Sequence, residues 1–71
     1  MSNWRQYLGR DPNVCHGELC IKGTRIFVTN VLDSLAEGAT HQEILKSYPS
    51  LLEEHIDAVL AYSVFLSRRD N

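Results

Sequence analysis

The sequence is short of the features that usually announce a function. Its two cysteines are too few for a disulfide framework, and Cys15-His16-x-x-x-Cys20 is not a common zinc-ligand spacing. No charged-then-apolar leader precedes a small-residue cleavage site, and the longest nearly apolar run, Ala58 to Leu66, is far too short to cross a bilayer. The expectation is a cytoplasmic chain without membrane contact, whose thiols stay reduced, so that no bridge joins Cys15 to Cys20. There is no basic excess either: seven Lys and Arg stand against nine Asp and Glu, a net charge of −2. Domains held on nucleic acid through phosphates usually carry such an excess, so any DNA contact here must use a local patch. No Ser–His–Asp set, phosphate-cradling glycine loop or catalytic carboxylate pair is recognisable. The chain is expected to be no enzyme and to need no cofactor or metal.

What is present fits a single domain over residues 1–71, close to the lower size limit for a stable core. A hydrophobic fraction of 44% is that of a globular chain rather than a disordered one. The sharpest local demand is Ile21-Lys22-Gly23-Thr24-Arg25-Ile26-Phe27-Val28. Gly23 accepts a positive φ, which a tight reversal needs. Val14 to Ile21 reads as a weak strand interrupted by Gly17, and Arg25 to Val28 as a better one, so a hairpin is expected across Gly23. Ahead of it, Trp4, Tyr7 and Leu8 have helical spacing, and Gly9 to Asn13, with Pro12, breaks that turn. Residues 1–28 thus form an extended N-terminal segment with short strands.

Residues 29–69 have helical period. The first helix is expected from Thr29 to Glu37, with Gly38 as its stop. Thr40-His41-Gln42-Glu43 matches a capping box, opening a helix to about Tyr48 that Pro49 terminates. Ser50-Leu51-Leu52-Glu53 is a second match, opening a third helix to about Arg69. The predicted fold is mainly α: a short N-terminal β-hairpin before a three-helix, homeodomain-like core of helix-turn-helix type.

At about 100° per residue, the apolar positions of the third helix cover roughly 220° of arc, wider than the stripe a surface helix needs. Two short preceding helices cannot cover it, so a homodimer is expected, with Leu52, Ile56, Val59, Tyr62, Phe65 and Leu66 in the interface. In a helix-turn-helix the third helix enters the major groove by its N-terminal residues. Here these include Glu53, Glu54 and Asp57, which suit the helix dipole but repel a polyanion. The better DNA-contact candidates are Lys22 and Arg25 in the turn and His41, Gln42 and Lys46 on the second helix. For Arg25 a structural ion pair is expected ahead of a phosphate contact.

Several words of the sequence, in order, resemble the family known as domain of unknown function 433. They are Cys15, Gly17, Ile21-Lys22-Gly23-Thr24-Arg25-Ile26, Leu35-Ala36-Glu37-Gly38, Glu43-Ile44-Leu45, Tyr48-Pro49-Ser50-Leu51 and Ile56-Asp57-Ala58 to Ala61-Tyr62. Leu19 stands where that family usually has proline, and His16 where it often has glycine. The resemblance implies a small bacterial protein with a helix-turn-helix-type core. It also implies an antitoxin role in a VapBC-type toxin–antitoxin pair, with a PIN-like ribonuclease toxin and operator DNA as partners. A partner adaptor without DNA binding is the alternative.

Overall fold

A computed structural model describes residues 3–69, the side chain of Cys15 excepted. A one-turn 3-10 helix, Trp4–Gln6, leads into strands β1 (Leu8–Asp11) and β2 (Val14–Ile21), followed by helices α1 (Val28–Ala36), α2 (His41–Ser47) and α3 (Glu53–Arg69). The fold class expected from the sequence is the one observed, a β-hairpin before three helices.

The hairpin, however, is one reversal earlier than expected. β1 pairs antiparallel with β2, Leu8 opposite Ile21, Gly9 opposite Cys20 and Arg10 opposite Leu19, with an irregularity before Asp11 opposite Val14. Asp11-Pro12-Asn13 makes the tip, and the Asp11 carboxylate accepts the Asn13 N–H at 2.9 Å, an Asx turn. Beyond the irregularity the chain folds back on itself: His16 has φ 53° and Gly17 φ 79°, the consecutive positive values that primed turns require. β2 is therefore interrupted at His16 and Gly17, between Val14 and Leu19, the interruption expected at Gly17. Cys20 is disulfide-bonded, which corrects the expectation of reduced thiols. What was expected of Cys15 lies outside the described side chains.

The expected second strand at Arg25 to Val28 does not form; only Phe27 makes an isolated bridge, to Cys20. Thr24 explains why. Its N–H and its hydroxyl both donate to the Ile21 carbonyl, at 3.1 and 2.7 Å, and the hydroxyl accepts the Ile26 N–H at 3.0 Å. With Gly23 at φ 80°, this is the geometry of a turn with glycine at its third position. The side-chain clasp stands beside a backbone bond across the turn, the Ile21 N–H to the Ile26 carbonyl at 3.0 Å, so the motif closes a loop and hands the chain directly to α1. That helix starts at Val28, before Thr29, and has no side-chain cap.

Thr40 and Glu43 form the reciprocal capping box on α2. At α3 the expected Ser50–Glu53 box is not made. The helix starts at Glu53, and the Leu52 N–H donates to His55 Nδ1 at 2.8 Å, so a histidine three positions on supplies the return bond. The core gathers Leu8, Ile21, Val28, Val31, Ile44, Leu51, Ile56, Ala58 and Val59, drawing on both strands and all three α-helices. Trp4 packs edge-on to Tyr62, centroids 5.0 Å apart, and lies 5.4 Å from Phe65. The Tyr7 ring meets His55 at 5.5 Å. The N-terminal segment thereby packs on Tyr62 and Phe65, part of the α3 surface expected to face a second subunit, while Leu52 and Leu66 stay open.

Candidate functional site

A groove of about 470 Å³ opens where the hairpin meets the Gly23 turn. Arg10, Lys22 and Arg25 line it with Asp11 as the single acid, so it is a local cationic spot on an acidic chain. Each cation is positioned differently. Arg10 sits on β1 and donates from Nη1 to the Gly17 carbonyl at 3.3 Å. Lys22 donates its backbone N–H to the Tyr7 carbonyl at 2.7 Å and lays its stem over Gly9, where an added Cβ would meet Lys22 Cε at 3.0 Å. Its ammonium reaches the Arg5 carbonyl at 3.0 Å, leaving further donors on Nζ. Arg25 is exposed and makes no hydrogen bond or ion pair among the described residues. The structural ion pair expected for Arg25 is therefore corrected: the Thr24 hydroxyl already serves the turn's backbone groups.

The remaining DNA-contact candidates lie on α2. Gln42 and Lys46 are exposed and four residues apart, so they share a face of the helix. His41 is instead paired through Nδ1 with the Glu53 carboxylate, and with Asp57 these two bring their ligand atoms within 4.8 Å of one another. Arg10 was missed by sequence reasoning. Placing the hairpin tip at Asp11-Pro12-Asn13 would have put it opposite Leu19 and beside the turn.

The interface candidates divide as well. Ile56 and Val59 are fully buried in the chain's own core, and Tyr62 and Phe65 are packed under Trp4. Only Leu52, 57% exposed, and Leu66, 36% exposed, remain open. Glu54 accepts the Tyr7 hydroxyl at 3.0 Å, which holds the tyrosine above its ordinary pKa. Glu43 is held below the usual carboxylate value by the backbone hydrogen bond from Thr40.

Hairpin, clasped turn and three helices define a small hairpin-plus-three-helix module with a cationic groove on the hairpin side. None of its helices is long and apolar enough to cross a membrane among the described residues. The family model described as "Protein of unknown function (DUF433)" matches residues 9–63, a stretch that includes the whole groove, and the chain belongs to that family. A crystal structure of a DUF433 member protein from Anabaena variabilis ATCC 29413 is similar at 30% identity, with a TM-score of 0.79 over 94% of this chain and 70% of that one. No curated protein matches the chain.

Proposed function

We propose that the chain is a small non-enzymatic regulator of the antitoxin type, which binds operator DNA and a PIN-like ribonuclease as one half of a VapBC-like pair. The observation that carries the DNA part is Arg25, an exposed guanidinium with no protein partner among the described residues, beside Arg10 and Lys22 in one groove. Three cations converging on a concave surface suit a phosphate backbone, and such contacts set register without reading bases. Base reading falls to α2, where Gln42 and Lys46 are free to reach a groove edge, glutamine to adenine and lysine to guanine. An electrophoretic shift with DNA from upstream of the chain's own coding region tests this reading. A salt-sensitive shift that Arg25→Ala weakens supports it; no binding at low salt, where phosphate attraction is strongest, overturns it.

One observation favours a second reading, an adaptor that captures a PIN-like protein without touching DNA. The first turns of α3, by which a helix-turn-helix enters the major groove, expose Glu53, Glu54 and Asp57. Co-expression with the product of the adjacent gene separates the two: a stable complex that fails to shift DNA supports the adaptor.

A further inference from the structure

The outer face of α3 is charged in opposite senses at its two ends. At about 100° per residue, Glu53, Asp57, Ala61, Val64 and Arg68 fall within an arc of roughly 80° that points away from Ile56 and Val59 in the core. The stripe starts acidic, passes through small and apolar residues, with Val64 47% exposed, and ends basic. Its basic end is also a groove. The Arg5 guanidinium lies 4.3 Å from the Trp4 ring centroid and 5.1 Å from that of Phe65, and Arg69 lies 5.6 Å from Phe65. Arg68 completes the lining, and no acidic residue enters it among the described residues.

From this we infer that the occupant of the face is a second copy of the same chain, packed antiparallel along α3. The proposal rests on the dimeric form expected of the proposed regulator and goes beyond it by locating the contact. A two-fold axis near Ala61 brings Glu53 and Asp57 of each copy over the Arg5–Arg68–Arg69 groove of the other, because the two ends lie about 22 Å apart on one straight helix. Residue i then meets residue j and j meets i, the self-complementarity that an isologous dimer requires. A parallel arrangement places acid on acid and base on base, which opposite-end charge excludes. Cation–π stacking holds the Arg5 guanidinium over the rings in advance, so less side-chain freedom is lost on contact. Exposed ion pairs contribute little each. The charges therefore set the orientation, while Ala61 and Val64 supply the apolar strip between them. One helix face is smaller than the about 800 Å² per partner of a standard interface, so the association is weak and salt-sensitive.

Sedimentation equilibrium on the full chain, without DNA, tests this by charge reversal. Wild type is expected to self-associate, less so as salt is raised. Glu53→Arg with Asp57→Arg, and separately Arg68→Glu with Arg69→Glu, are each expected to sediment as monomers. An equimolar mixture of the two is expected to recover a dimer, since every reversed end then meets its complement. Recovery also shows that both variants are folded. Wild type that stays monomeric, reversals that leave the dimer intact, or two folded variants that stay monomeric when mixed each overturn the inference. Association that appears only after adding DNA or a second protein overturns it too. Should a reversed pair unfold, Glu53→Gln with Asp57→Asn takes its place. Weaker association with an unchanged far-ultraviolet spectrum then supports the contact, and unchanged association refutes it. Because no DNA is present, failure here is separable from failure of the operator-binding reading.

Discussion

Thr24→Val removes one hydroxyl while keeping the shape and branching of the side chain. The hydroxyl makes two bonds, donating to the Ile21 carbonyl and accepting from the Ile26 N–H. Loss of the first is softened, because that carbonyl keeps the Thr24 N–H at 3.1 Å. Loss of the second leaves a half-buried N–H without its acceptor. At roughly 1 kcal/mol for each bond the expected loss is about 2 kcal/mol. A 71-residue domain holds only about 4–11 kcal/mol in total, so the variant gives up a large share. With a urea slope of about 1 kcal/mol/M for so small a chain, the unfolding midpoint falls by about 2 M. Trp4, packed between Tyr62 and Phe65, is the fluorescence reporter. Thr24→Ser keeps the hydroxyl and is expected to recover most of the midpoint. If serine falls as far as valine, or valine matches wild type, the clasp is not what closes the turn.

The remaining structural predictions are smaller. Thr40→Ala breaks the capping box of α2 and should lower stability by about 1 kcal/mol in the same titration. Because Glu43 has a lowered pKa in the fold, its contribution is full above the ordinary carboxylate value and is lost as pH falls through the folded one. Glu43→Gln, which removes the titrating carboxylate, should therefore flatten the acid limb of a stability–pH curve, and an unchanged limb would contradict the assignment. Tyr7 has the opposite sign: its raised pKa means that the bond to Glu54 stabilises below the ordinary tyrosine value and fades as pH rises through the folded one. Tyr7→Phe should remove that alkaline loss, as unfolding curves recorded across the tyrosine range will show. His16 occupies φ 53°, where a Cβ costs roughly 1 kcal/mol or more, so His16→Gly should raise the thermal midpoint despite the entropy glycine adds to the unfolded chain. A fall in the midpoint would place an unidentified contact on that side chain.

The helical half was legible because local chemistry settles it. The side chains of Thr40 and Glu43 each bond the other's backbone, so four residues suffice to place the start of α2. Gly38, at φ 97°, likewise marks the end of α1. The N-terminal half depends on pairing between distant residues. Ile26-Phe27-Val28 has strand composition, yet the Thr24 hydroxyl ties the chain into a loop and Val28 is consumed by α1. Thr29 and Ser50 have the composition of caps, but Phe27 and Leu52 occupy the positions before those helices, and His55 rather than a carboxylate returns the bond at α3. The wide apolar arc of α3 was visible in the sequence as more than two short helices can cover. What the pattern could not show is that Trp4 and Tyr7 of the same chain pack on part of it. For the candidate site, Lys22 and Arg25 were visible as charges in a turn, whereas Arg10 joins them only through the hairpin register.

The proposed function rests most directly on Arg25, and a salt titration of DNA binding by wild type and Arg25→Ala measures it. Three groove cations contacting three phosphates predict a slope of log K against log salt of about −2.7 per protomer. Loss of one of them moves that slope to about −1.8. Stability should stay within about 0.5 kcal/mol of wild type, since an exposed side chain with no partner among the described residues is removed. That combination, an unchanged midpoint with a shallower slope and weaker binding across all sequences, is what the account predicts. A slope unaltered by Arg25→Ala, or a large loss of stability with DNA affinity intact, would contradict it.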